Sequence, residues 1–510
     1  MMSRRLKTSG WAAGLAAAMA MGGATAASAA DDCVRVLGYE WSGEKQSMDP
    51  ADMQSGDDGY HIFAVYNRLI DVDQDFQLLP ELATDWSVSE DGKTWTFNLV
   101  EGVTFHDGSA FDSGDVVYTF QRLMDPDQGF GARAVMSALE GATFGAPDAN
   151  TFTITTVEPV ATLPMVITNK FSNIVAEGAT HEELRLHGNG TGPFMQDTFV
   201  PNGPTRILTA NPNYWVEGQP KAPCLEITVA QESVAAISAI KSGQVDLVLN
   251  VDPTGIPALE GDADINLLET GASNSMTISM WVDTPPFDDN RVREAMKYGV
   301  DRQAMIDSVL LGYGEVGNDN PVPPASPDAY TSQARAYDPE KAKALLAEAG
   351  YGPGELTFDF YTAEGVPGMV NMAQTFAQMM GDIGINVNVI ETPADSFWDD
   401  VWLTQPMVTS AWSRRPPASA LSVAYTQDAK WKETHWERPD YDALLLKAAT
   451  TIDPAERAEL YNQAQQMLTE EGGVIIPMFV HQVIGVRANC SGYQPHVQNF
   501  NLNFETISCD

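Results

Sequence analysis

Residues 411–419 read AWSRRPPAS, which sets Trp412, Ser413, Arg414 and Arg415 directly before Pro416-Pro417. Two adjacent guanidinium groups, an indole and a stiff diproline are suited to binding an anion. The guanidinium fork donates in parallel to a carboxylate, sulfate or phosphate, and the indole offers a flat face for stacking. The setting sharpens the point, because the chain has 69 acidic side chains against 29 basic ones and a formal net charge of −40. The plain reading is a surface loop that neutralises acidic neighbours; the sharper one is a turn facing a ligand. The stretch 395–436 also gathers Trp398, Trp402, Trp412, Trp431 and Trp436, five of the chain's eleven tryptophans, with Tyr425. Most such indoles pack a core. Trp412, beside the arginines, is the one expected to meet a ligand.

Catalytic chemistry finds little to work with. The seven histidines (His61, His106, His181, His187, His435, His481 and His496) include no pair at the helical H-x-x-x-H spacing of a zinc hydrolase, and there is no Cys-x-x-Cys. His181 and His187 are six apart and fall on different faces of a helix. No Gly-x-Ser-x-Gly elbow or phosphate-binding loop occurs, and carboxylate pairs such as Asp399-Asp400 carry no information in so acidic a chain. A hydrolase would need a nucleophile or metal that the sequence does not display; neither a cofactor nor a metal is expected.

The elements that must position these residues alternate between helices and apolar strands, the pattern of α/β lobes. Asp338-Pro339 and Asp453-Pro454 read as capped helix starts, with Ala342, Leu345, Leu346 and Ala349 facing inward in the first helix and Leu460, Ala464, Met467 and Leu468 in the second. Asn290 and Asp301 read as the openings of two short helices that end near Gly312. Strands are expected over 94–99, 151–155, 206–209, 225–229, 245–249, 277–280, 356–361, 386–390 and 474–479. The alternation at Trp95, Phe97 and Leu99, the turn at 105–108 and a helix capped by Asp112 form a separate block, expected as a subdomain.

The first thirty residues read as a secretory signal peptide: Arg4, Arg5 and Lys7, an apolar run from Trp11 to Met21, and small residues at 27–30. No later stretch approaches the roughly 20 apolar residues of a membrane helix, so no membrane insertion is expected. Loss of that segment removes three cations and no acid, taking the charge from −40 to −43. Such a surface repels phosphate backbones and anionic headgroups and argues against nucleic-acid partners. Four cysteines in an oxidising compartment allow three pairings. Cys33 and Cys224 each precede a strand-like run, and Cys490 and Cys509 bracket the C-terminal segment, so the expected pairs are Cys33 with Cys224 and Cys490 with Cys509.

Several blocks then resemble one family. LPELATDW at 79–86, EDGKTWTFNLVEGVTFHDGSAFDSGDVVYTFQRLMDP at 90–126, GTGPF at 190–194, NPNYW at 211–215, SGQVDLV at 242–248 and PPFDDNRVREAMKYGVDRQAMIDSVLLGYG at 285–314 occur in the order found in family 5 solute-binding proteins of ABC importers, the peptide- and nickel-type periplasmic binding proteins. The resemblance covers essentially the whole chain after residue 30. It implies an α/β two-lobe periplasmic-binding-protein clamshell (type II, cluster C) with an extra subdomain in lobe I. Mapped here, lobe I takes residues 31–285 and 480–510, its subdomain 66–190, and lobe II 286–479. The resemblance further implies a periplasmic monomer that holds a small-molecule or oligopeptide ligand between the lobes and presents it to permease subunits. Relatives that carry dipeptides place an aspartate where this chain has the Arg414-Arg415 neighbourhood, and some place an arginine on a second-lobe helix, where 367–380 here has none. The expected ligand is therefore a peptide-like solute with an anionic group at Arg415, or else a non-peptide anion such as an opine-like conjugate or acidic oligosaccharide. By the same resemblance Ser42, Gly43 and Glu44 lie in a first-lobe loop that meets the ligand, and Trp281 stands beside the crossover, where it would line the hinge side of the cleft.

Overall fold

The computed structural model describes residues 33–39, 46–53, 56–196, 199–201, 203, 205–230, 233–326, 329–330, 335–498 and 502–510. The expected signal peptide and the loop carrying Ser42, Gly43 and Glu44 lie outside them. One eleven-stranded sheet runs through the molecule: β1 (Val34–Tyr39), β2 (Phe194–Met195), β3 (Thr205–Ala210), β4 (Cys224–Ala230), β5 (Leu247–Val248), β6 (Ile265–Met280), β7 (Gly314–Val316), β8 (Leu356–Thr362), β9 (Ile385–Glu391), β10 (Met407–Ser413) and β11 (Val474–Arg487). Across the sheet the order is β9-β8-β10-β6-β11-β5-β1-β4-β3-β2, with β7 also on β11.

Two of these strands explain why one sheet makes two lobes. β6 has 16 residues and β11 has 14, so β6 spans about 50 Å at the usual rise per residue. They pair antiparallel from Ile265↔Arg487 to Ser279↔Val474. Along β11, Ile475 and Met478 join one apolar cluster, with Phe360 and Phe376, while Ile484 and Val486 join another, with Val36 and Ile227. β6 divides likewise: Leu268 packs on the second of these clusters, and Met276, Ile278 and Met280 belong to the first. Each lobe thus buries its own core, and two shared strands connect them. Between Glu269 and Asn274 the register slips, around Gly271, so the connection carries a bulge where pairing is interrupted and the strand can bend.

The subdomain is a four-stranded antiparallel sheet in the order Ala83–Val88, Thr94–Leu99, Thr151–Thr155, Thr143–Asp148. It is packed by helix Ser113–Met124, where Asp112 caps Gly114 N–H and Asp115 returns a bond to the Asp112 N–H. Two disulfides close the first lobe's ends. Cys33 joins Cys224 at the start of the paired strands β1 and β4, and Cys490 joins Cys509. No helix of the described residues is long and apolar enough to cross a membrane.

Candidate ligand-binding site

β10 delivers the AWSRR segment to the waist of the molecule. It pairs with β6 from Met280↔Met407 to Asn274↔Ser413, so Ser413 lies level with the bulge and the two arginines emerge just beyond it. Pro416-Pro417 ends the extended path and starts helix Pro417–Ser422, which fixes the direction in which Arg415 leaves the strand.

Arg414 turns toward the connection. Its backbone N–H donates to Ser273 O at 2.6 Å, its guanidinium donates to Ala272 O at 3.2 Å, and it lies 5.3 Å from the Phe76 ring centroid of the first lobe. Arg414 therefore holds the bulge of β6 and covers an aromatic residue across the waist. Arg415 behaves differently. Its guanidinium carbon stands 5.2 Å from the Trp412 ring centroid, and its Nη1 is buried with no hydrogen-bond partner among the described residues. Burial pushes its pKa below the ordinary arginine value. A buried guanidinium nitrogen without an acceptor is costly, and here it borders a cavity of about 1520 Å³ between the lobes.

The charges around that cavity invert those of the chain. Lys170, Arg414, Arg415, Lys430 and Arg457 line it against Asp428 as the one lining carboxylate among the described residues. Two lining amide oxygens, Asn274 Oδ1 on β6 and Gln498 Oε1, are also buried without a partner. They are placed to accept from the N–H or O–H groups of a guest.

The tryptophans form the wall behind Arg415. Trp412 packs on Trp402 at 5.9 Å and on Trp431 at 5.8 Å between ring centroids. The indole N–H groups of Trp402 and Trp412 both donate to the Glu433 carboxylate, each at 3.1 Å. Glu433 is 1% exposed, and burial raises its pKa against the pull of those two donors. Removing the acceptor leaves two half-buried indole N–H groups without their partner. Glu433→Ala is expected to cost about 1–3 kcal/mol, and Glu433→Gln, which keeps one carbonyl oxygen, distinctly less. Urea unfolding of the two variants measures the order, and equal losses would show that the indole bonds are not what matters.

The residues singled out from the sequence thus separate. Ser413, Arg414 and Arg415 border the cavity and Trp412 does not: its indole is taken up by Glu433 and its aromatic neighbours, so it backs Arg415, and of this tryptophan cluster Trp431 lines the cavity, with Trp86 and Trp95 from the subdomain. Trp281 is displaced from its expected place at the hinge side of the cleft. It follows the far end of β6, seven residues beyond Asn274 or roughly 23 Å along an extended chain, where it stacks on His435 at 4.2 Å. Lys170, Asn274, Glu433 and Gln498 did not stand out in the sequence. A lone lysine in TNKFSN has no local signal, and only the fold brings it to the waist. The one metal-capable cluster among the described residues, Asp246 with Cys490 and Cys509, is already satisfied, because the cysteines form a disulfide and Asp246 binds Arg35 at 2.7 Å.

Two lobes on shared strands with a large basic cavity at the waist are the architecture of a solute-binding protein of the clamshell kind. The chain belongs to the family described as bacterial extracellular solute-binding proteins, family 5 Middle, which matches residues 77–433. It is 29% identical over 440 residues to Heme-binding protein A of Haemophilus influenzae, covering 79% of each chain. It is 27% identical over 495 residues to Di/tripeptide-binding protein 1 of Pseudomonas aeruginosa, covering 90% of this chain and 91% of that one. Among solved structures it is similar to the periplasmic binding protein AgaA in complex with agropinic acid, from A. tumefaciens R10. That match has a TM-score of 0.76 and 23% identity, over 94% of this chain and 99% of that one.

Proposed function

We propose that this chain is the extracytoplasmic binding subunit of an ABC importer. It captures peptides or peptide-like solutes between its lobes, engages an anionic group of the solute with Arg415, and delivers the closed complex to a membrane permease. The observation that carries this reading is the buried Nη1 of Arg415, which has no acceptor among the described residues, on the wall of a basic cavity in an acidic protein. Two disulfides and family membership support a periplasmic location after export. The division read from the sequence, 31–285 with 480–510 against 286–479, is retained with one change. Met276 and Ile278 pack with the second lobe, which favours a first crossing at the Gly271 bulge.

A second reading, a non-peptide anion such as an opine-like conjugate, draws support from Asp428. A single lining carboxylate offers a free ammonium little compensation, which favours solutes whose amine is masked.

The test is a thermal-shift panel of di- and tripeptides, opine-like conjugates and acidic oligosaccharides, followed by small-angle scattering of the hits. A solute at ~100 times its Kd adds about 2.7 kcal/mol of stability, and binding is expected to compact the molecule as the lobes close. A hit that leaves the scattering profile unchanged removes the clamshell mechanism. A hit turned over by the protein replaces it with catalysis.

A further inference from the structure

The five cations on the cavity wall are not equivalent. Arg414 donates to Ala272 O, and Arg457 donates to Thr451 O at 2.9 Å and Ile452 O at 3.0 Å. Lys430 makes no such bond among the described residues either, but it is exposed to solvent, 4.9 Å from the Trp431 ring centroid. Lys170 and Arg415 remain: neither donates to any carbonyl or carboxylate of the described residues, and each is held instead beside an aromatic ring. The Lys170 ammonium lies 5.1 Å from the Phe171 centroid.

These two come from opposite sides. Phe171, beside Lys170, packs in the first lobe's core, whereas Arg415 follows β10, whose Met407 and Val408 pack in the second's. Both cations line the same cavity; burial first holds the Lys170 pKa below the ordinary lysine value, Asp58 pulls it up, and the Arg415 charge adds to the lowering. Two like charges on separate lobes oppose closing. An anion between them replaces that repulsion with two attractions.

We infer that Lys170 and Arg415 are the two jaws of one anion clamp, and that the clamp selects solutes bearing a carboxylate that no adjacent ammonium cancels. The inference rests on reading the cavity as the solute site. It adds a contact residue from the first lobe and a charge class for the guest. A carboxylate between the pair is attracted by both cations. An ammonium next to that carboxylate would restore the repulsion.

The probes are N-acetyl-L-alanyl-L-alanine, its C-terminal amide and unmodified L-alanyl-L-alanine, titrated calorimetrically into the mature chain and into its Lys170→Met, Lys170→Arg and Arg415→Met variants. The acetylated acid is expected to bind at least roughly tenfold more tightly than the amide, the difference a charge-assisted contact makes, and more tightly than the unmodified dipeptide. Lys170→Met is expected to erase most of the acid's advantage while leaving the amide unchanged, and Lys170→Arg to restore it. In the double variant the losses should fall short of the sum, because one carboxylate serves both cations. An acid-to-amide ratio untouched by Lys170→Met, or a wild type that binds neither acid nor amide, overturns the clamp. If Arg415→Met weakens hits from the wider panel while Lys170→Met does not, the clamp alone fails. If no solute on that panel responds to Arg415→Met, the assignment of Arg415 in the solute site fails with it.

Discussion

Arg415→Met is expected to unfold at higher denaturant than the wild type while losing roughly 30-fold or more in solute affinity. Both effects have one cause. In the solute-free protein Arg415 is half-buried in the cavity wall, with its Nη1 buried and without an acceptor among the described residues, and a buried charged donor left unsatisfied costs about 1–3 kcal/mol or more. The Trp412 ring beside it returns only about 0.5–1 kcal/mol through cation–π attraction. Methionine fills much of the same volume and lies against the indole without a desolvated charge, so the empty protein gains stability. With solute bound, the balance reverses. Truncating one partner of a buried, hydrogen-bonded charge pair costs about 2–5 kcal/mol, which is roughly 30-fold to several thousand-fold in Kd. Arg415→Lys keeps the charge and loses the planar fork, so its affinity should lie between. Urea unfolding without solute and calorimetry with the best hit of the panel decide the matter. A variant that is less stable and binds as well as the wild type would make Arg415 a structural residue.

What could be read from the sequence, and what could not, divides along physical lines. Helix starts were legible because capping is local chemistry: Asp112, Asp301, Asp338 and Asp453 each accept from a backbone N–H of the first turn. Where Asn290 was expected to open a helix, Asp289 does so by accepting from Arg291 N–H, one residue earlier. In an acidic chain, neighbouring cap candidates compete. The connecting strands were legible only in part. Expected over 277–280 and 474–479, they extend to Ile265–Met280 and Val474–Arg487. ETGASN at 269–274 reads as a turn, and only pairing with a distant strand keeps it extended. β10 escaped altogether, because MVTSAWS lacks alternation and draws its place from β6 on one side and β8 on the other. The same division holds in the cavity. Arg415 stood out as a charge anomaly within nine residues of chain, whereas Lys170 gains its meaning only from what the fold sets opposite it.

The largest stability loss is expected from opening the disulfide between Cys33 and Cys224. The bond joins residues 191 apart, and closing so long a loop removes much conformational freedom from the unfolded chain. The loop-entropy relation puts this at about 5 kcal/mol, and removal of native disulfides typically costs about 2–5 kcal/mol. The 19-residue loop closed by Cys490 and Cys509 gives about 3 kcal/mol by the same relation, so Cys33→Ser/Cys224→Ser should lose more than Cys490→Ser/Cys509→Ser. The location of the first bond adds to this. It fastens β1 to β4 at the first residues of their parallel register, Val34↔Leu225, and β1 is flanked by β5 on its other side. Freeing Cys33 would allow a strand inside the sheet to fray from its end, exposing the backbone groups of both neighbours. Urea midpoints and slopes of the two double variants, measured without reductant, test the order. Equal losses, or a greater loss from the shorter loop, would show that strain or residual unfolded structure outweighs loop length, and that β1 holds its place by pairing alone.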